Sequence, residues 1–357
     1  MKKIYTQTRT ETVATTPQQM LCVSGGIKAQ ISGYKTGSSF TQSVIIGVIC
    51  SSLLMLGTAC STTNNPDQPK QQAELKPRTL IVQTSPQPSP QERGIRRLPQ
   101  ATITDEGETL NALWSAGDEI SFRNISLESY TDPQTGTLVP MAGTLLADRA
   151  ASIASFASND KVWCDVNNQI LLVYPKATDP AITVSGNPLT ASYSISLTGQ
   201  DGTLGKIAST YHHSYGIATI TEVTPTVANA ELAEMQNLLA VCKFSFVDES
   251  NQPLTIPSLS ISYGDGTYPE QATVTVTQGT PCTVAVTPSA GGYPLAISPT
   301  GNPMEVYVAL FPEATATTYS FSLKSGENVY TGTATARLVA GEFVVAENLK
   351  LTKKVNP

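Results

Sequence analysis

The chain has 357 residues, enough for two domains of ordinary size that each bury a core. Only 14% of it is charged, against roughly a quarter in an average soluble protein, and Thr, Ser, Val, Gly and Pro are plentiful, which suits strands and turns better than helices. A net charge of -6 supplies no basic stripe to neutralise phosphates, so nucleic acid is excluded as an expected partner.

At the N-terminus Lys2, Lys3, Arg9, Lys28 and Lys35 precede an apolar run at residues 44–56. The run is roughly half to two-thirds of the length a membrane-spanning helix needs, and a cleaved export signal fits that order of charge and apolar stretch. It ends in Leu56-Gly57-Thr58-Ala59-Cys60-Ser61, similar to a bacterial lipobox, in which the Cys is lipidated and becomes the new N-terminus. Leu56 stands four residues before Cys60 rather than the usual three. Lipidation of Cys60 is the expectation; the other readings are cleavage near Ala59 and an uncleaved signal-anchor. The stretch before the run is long for a signal, and a start at Met20 is the alternative to a genuine extension.

Residues 61–100 are rich in Pro, Gln, Ser and Asn and read as a linker or a removable pro-segment, because most of them bury too little to offset the entropy of ordering. The one apolar patch lies in Arg78-Thr79-Leu80-Ile81-Val82-Gln83-Thr84, and a cluster of Arg93, Arg96 and Arg97 follows it. Beyond Gln100, strands are expected at 119–125, 161–166, 169–174 and 191–197. A second series is expected at 240–247, 258–263, 272–277, 282–287, 305–310, 319–323 and 342–351. Between the two series, residues 228–235 are good helix formers without Gly or Pro and are the best helical candidate. The resulting division is a leader at 1–60, the linker at 61–100, and all-β sandwich domains at 101–235 and 236–357.

Chemistry finds no seat in this pattern. Cys164, Cys242 and Cys282 each share a period-2 face with apolar neighbours and are expected to point into cores as inert thiols. His212 and His213 are adjacent, so on a strand they face opposite sides and cannot share a metal; they read as polar residues near a loop or interface. Asp265 between two glycines reads as a tight hairpin turn. No nucleophile elbow, calcium loop or phosphate-cradling loop occurs, so no catalytic residue, metal site or cofactor is expected.

Several segments in order resemble the fimbrillin family. They are Trp114-Ser115-Ala116-Gly117-Asp118-Glu119-Ile120, Leu171-Leu172-Val173-Tyr174-Pro175, Gln200-Asp201-Gly202-Thr203-Leu204, the strand around Leu239-Ala240-Val241-Cys242, Tyr307-Val308-Ala309-Leu310-Phe311-Pro312 and Ala340-Gly341-Glu342-Phe343. The resemblance implies two tandem transthyretin-like β-sandwich domains and a structural or accessory subunit of a pilus of the Bacteroidales type V class, exported as a lipoprotein and anchored in the outer membrane through Cys60. It further implies that in stalk subunits an Arg-specific protease removes an N-terminal strand and a neighbouring subunit fills the groove, whereas anchor subunits keep their lipid and need not be cut; stalk, tip and anchor roles all stay open. On that reading Thr79, Leu80, Ile81, Val82, Gln83 and Thr84 form the removable strand, with cutting after Arg93, Arg96 or Arg97. The plainer alternative is a solvated spacer with incidental arginines. A second function remains open, a stand-alone surface adhesin for glycan or host protein, with Tyr211 and Tyr215 as candidate exposed aromatics.

Overall fold

The computed structural model describes residues 75–84, 102–107, 109–151, 154–176 and 182–354. The chain there is all-β, built from short runs whose alternating Val, Ile, Leu and Thr bury one face. In chain order the strands are β1 (Lys76–Thr84), β2 (Thr102–Asp105), β3 (Leu110–Leu113), β4 (Glu119–Asn124), β5 (Ala142–Ala147), β6 (Ser155–Cys164) and β7 (Gln169–Tyr174). Next come β8 (Thr183–Ser185), β9 (Thr190–Ser196), β10 (Ser214–Val223), β11 (Val227–Asn237), β12 (Ala240–Val247), β13 (Ser258–Ser262) and β14 (Gln271–Thr277). The last are β15 (Thr283–Pro288), β16 (Leu295–Ile297), β17 (Glu305–Leu310), β18 (Thr317–Ser325), β19 (Asn328–Ala336), β20 (Phe343–Lys350) and β21 (Thr352–Lys353). The helical content among the described residues is one α-turn at Leu204–Lys206, capped by the Thr203 hydroxyl, that runs into a π-turn at Ile207–Tyr211.

Seven strands close into a barrel in the order β1-β11-β10-β7-β4-β5-β6. The hydrogen-bond ladder is continuous, so the two faces of a sandwich are joined here at both edges and no strand edge is left open. Leu80, Ile120, Phe122, Leu145, Phe156 and Leu172 pack inside around Trp114. The Trp114 ring meets Phe156 and Tyr174 edge-on at centroid distances of 4.8 and 5.4 Å.

The other strands form the sheets β17-β12-β20, β16-β13-β18-β19-β21 and β15-β14-β9-β8, with the hairpin β2-β3 beside them. Their shared core holds Phe244, Phe246, Ile261, Val274, Val308 and Phe321. Strands β8 and β9 complete the sheet of β14 and β15, and Ile103, Leu110 and Ala112 of the hairpin enter the same core. This core therefore draws on residues from both sides of position 235.

Residues 228–235 are strand, not helix. They lie in β11, where Ala228, Ala230, Leu232 and Met235 are buried and the backbone pairs with β1 on one side and β10 on the other. Helix propensity amounts to a few tenths of a kcal/mol per residue and loses to two ladders of hydrogen bonds and an apolar face. A glycine in the partner strand permits the packing: a Cβ on Gly216 would lie 2.5 Å from Met235 Sδ and 2.7 Å from Leu232 Cδ1.

Strand β7 belongs to both cores. Ile170, Leu172 and Tyr174 point into the barrel, while Leu171 and Val173 point into the second core. Its nearly unbroken apolar sequence is what burial on two faces demands. Leu171→Ala and Leu172→Ala should accordingly each cost about 2–5 kcal/mol in urea unfolding although their side chains leave β7 in opposite directions. A near-neutral result for either one would show that its face of β7 is not packed as described.

Candidate functional site

The barrel closes on β1, and this strand coincides with the apolar patch singled out in the sequence. Thr79 to Thr84 run parallel to β11, from Thr79 opposite Val227 to Thr84 opposite Leu232. On its other side β1 runs antiparallel to β6, from Lys76 opposite Cys164 to Gln83 opposite Ser155. The register against β6 shifts between Thr79 and Ile81, where β6 contributes extra residues. Ser158 turns inward at that bulge, and its Oγ accepts the Leu80 N–H at 2.8 Å, so the displaced backbone donor stays paired.

Alternation sets what β1 puts inside. Leu80 and Val82 are fully buried in the barrel core, and Ile81 and Gln83 face outward. Further ties hold the strand: the Thr79 N–H donates to Thr226 O at 2.8 Å, Lys161 Nζ to Thr79 Oγ1 at 2.8 Å, and Thr84 Oγ1 to Ala154 O at 3.0 Å. Leu75, just before the strand, donates its N–H to Tyr130 Oη at 3.1 Å.

The residue that sequence reasoning passed over is Arg78. It shares the inward face of Leu80 and Val82 and is 6% exposed. Its Nε donates to Thr224 O at 2.8 Å, Nη1 donates to Cys164 O, and Nη2 lies 3.9 Å from Asp165 Oδ1. The guanidinium thus ties the β6–β7 turn to the β10–β11 turn. Asn124, fully buried, braces the first of these turns by donating to Asn168 Oδ1 at 2.9 Å and to Trp163 O at 3.3 Å. The available signal was positional: Arg78 lies two and four residues before Leu80 and Val82, on their period-2 face.

A second polar cluster fastens the hairpin that follows the arginine-rich stretch. Lys243 Nζ lies 3.0 Å from Asp105 Oδ2 and 3.2 Å from Glu305 Oε2, and Tyr307 donates its hydroxyl to Asp105 Oδ2 at 2.6 Å. Burial pushes the Asp105 carboxyl up, but the bonds from Tyr307, the Gly107 N–H and Lys243 outweigh it and hold the group below its ordinary value.

Of the other predicted positions, Cys60, Arg93, Arg96 and Arg97 lie outside the described residues. Cys164 and Cys242 are buried free thiols, and burial pushes the Cys164 thiol up to about 11, too high for a thiolate at neutral pH. Cys282 shares the face of Val284 and Val286, as expected, but that face packs only partly against the second core because β15 is an edge strand; its Sγ lies 3.5 Å from Gln169 Oε1. Asp265 holds its turn by accepting the Thr267 N–H and hydroxyl, both at 3.0 Å. Strand β20, the next to last, lies parallel on β12 at a sheet edge. Among the described residues no group of three metal-ligating side chains comes together, and no helix is long and apolar enough to cross a membrane.

The two histidines, read from the sequence as polar residues near a loop or interface, lie in the connection that follows the π-turn. They link the π-turn to β10, where His212 is 3% exposed and neither ring nitrogen has a hydrogen-bond partner among the described residues. Tyr211 is buried as well and donates its hydroxyl to Thr198 O at 2.6 Å, so it is not an exposed aromatic.

No family model matches the chain, and no curated protein does. Among solved structures, a protein named for a proposed role in cell adhesion, from Bacteroides uniformis, is 12% identical; 81% of this chain aligns with 99% of that one at a TM-score of 0.44. A similarly named protein from Bacteroides ovatus is 12% identical, with coverages of 79% and 96% and a TM-score of 0.43. A streptococcal ancillary pilin is 10% identical, with coverages of 78% and 69% and a TM-score of 0.25. Likenesses this distant fix neither topology nor role.

Burial, with His213 beside it, holds the His212 imidazole down at about 4, against 6.5 when free. The fold therefore accepts only the neutral ring. Its contribution is intact above pH 6.5 and is lost as the pH falls from 6.5 toward 4, by about 3 kcal/mol in all. Thermal unfolding of the wild type should fall across that window and that of His212→Leu should fall less; parallel pH profiles would show that His212 is not the group being titrated.

Proposed function

We propose that this chain is a structural or accessory subunit of a cell-surface pilus that assembles by strand addition after export as a lipoprotein. The observation that carries the proposal is the position of β1: one strand, inserted between β6 and β11, closes the barrel, and the chain leaves it through the Pro- and Gln-rich stretch that bears Arg93, Arg96 and Arg97. Cutting there severs every covalent link between β1 and the barrel. Loss of β1 then exposes two rows of backbone donors and acceptors and the slots of Leu80 and Val82, which a strand from another subunit can fill.

In this proposal residues 1–60 are the leader with Cys60 the lipid-bearing residue on the outer membrane, and residues 61–100 are the linker that carries the removable strand. The two domains, proposed as transthyretin-like β-sandwiches over 101–235 and 236–357, do not divide cleanly at 235, since β2, β3, β8 and β9 contribute to the second core and β1 completes the barrel. The partners are other pilus subunits. The competing reading, a stand-alone adhesin for glycan or host protein, loses Tyr211 as a contact because that ring is buried.

The test is the intact mass of the protein from its native membrane before and after an Arg-specific protease, followed by sizing. A lipidated chain beginning at Cys60 that is trimmed to a start just after Arg93, Arg96 or Arg97, and then forms end-to-end oligomers resistant to mild denaturant, is the expected outcome. A chain that is cut yet stays monomeric would sink assembly by strand addition and favour the adhesin.

A further inference from the structure

The seat of β1 is not a purely apolar slot. At the end of the barrel where β6 turns into β7 and β10 turns into β11, the carbonyls of Cys164 and Thr224 and the carboxylate of Asp165 all face one guanidinium, that of Arg78. Arg78 is itself 6% exposed and brings its donors to the two carbonyls from inside the strand, while the Asp165 carboxylate, 29% exposed and already accepting the Val166 N–H at 2.9 Å, adds a facing charge. Two positions on, along the same face, come Leu80 and then Val82, both with no exposed surface.

We propose that the β1 seat is a bipartite recognition site whose specificity-determining element is this acceptor socket, and that its partner is an extended strand carrying a guanidinium two and four residues ahead of two buried apolar side chains. The inference rests on the strand-addition reading and specifies what that strand must contain.

The physical argument is one of unpaired acceptors. If β1 leaves, two backbone carbonyls and a carboxylate are left around an opening that any apolar strand would cover. Covering the two carbonyls without a donor removes their guanidinium partners, a cost that exceeds the value of an ordinary hydrogen bond, and leaves the Asp165 carboxylate without its facing charge. A strand of leucines and valines thus fills the Leu80 and Val82 slots but is penalised at the third position. Three acceptors on two different turns also favour arginine over lysine: Nε, Nη1 and Nη2 of a planar fork reach three atoms at once, whereas one ammonium is a point charge. Shape selects for alternating apolar residues, and the socket selects among such strands.

Two measurements test this. In the first, the full chain is nicked by an Arg-specific protease so that β1 is held without a covalent link, and labelled peptides spanning residues 75–84 compete for the seat. The native peptide is expected to enter, Arg78→Met to bind about ten-fold more weakly or worse, Arg78→Lys to fall between, and Leu80→Ser to fail. Equal binding of native and Arg78→Met peptides overturns the socket while leaving strand addition intact; failure of the native peptide overturns strand addition and the socket with it.

The second measurement needs no cut. Hydrogen exchange in the uncut full-length Arg78→Met protein should speed β1 amides by about ten-fold or more relative to β7 amides, with Arg78→Lys recovering part of the protection. Unchanged β1 protection overturns the socket however the peptides behave.

Discussion

The backbone groups that β6 and β11 turn toward one another across the barrel must be paired, and β1 is the strand that pairs them. A buried amide or carbonyl without a partner costs free energy on the scale of a lost hydrogen bond, and here whole rows of them depend on a single segment. The remainder of the barrel follows from that dependence. Leu80 and Val82 complete the core around Trp114, Ser158 pairs the Leu80 N–H where the ladder of β1 to β6 shifts, and Arg78 ties the β6–β7 turn to the β10–β11 turn.

The attachments on the two sides of the arginine-rich stretch differ in kind. Before it, β1 is held by hydrogen bonds and apolar contacts inside the barrel. After it, the β2-β3 hairpin is fastened to the second core by Ile103, Leu110 and Ala112 and by the contact of Asp105 with Lys243 and Tyr307. Strand β7, packed on both faces, then couples that core to the barrel wall. A break between the two attachments leaves the second one undisturbed, so what it changes is confined to the fate of one strand.

Sequence pattern revealed the elements that alternate cleanly. Gln169 to Tyr174, the strand from Ala240 and the patch at Thr79 to Thr84 all fold as strands because each offers an apolar face and no strong competing signal. The pattern failed where small residues dilute the period. Strand β5 is mostly Ala, Gly and Leu, β10 carries Gly216, and β19 alternates Thr with Ala, so none announces a buried face. It failed differently at β11, whose Ala, Glu, Leu and Met favour a helix until partners on both sides are present. Arg78 was hidden by its charge: a lone arginine ahead of an apolar run reads as solvent-facing, and only the fold brings three acceptors from distant turns around it. The depth of His212 was likewise hidden, since the π-turn that precedes it has no sequence signature.

The pairing directions of β1 also fix how it bears load. A pull along the strand axis on the chain upstream of Lys76 is directed along both neighbouring strands, so it shears the ladders to β6 and β11 and strains their hydrogen bonds together rather than peeling them one at a time. Arg78 lies near the loaded end, where its anchorage to two turns takes up displacement first. Resistance of such a joint is set by the barrier to detachment and not by equilibrium stability alone. The strand that chemistry can set free with one cut is, until then, mounted as a tension-bearing pin.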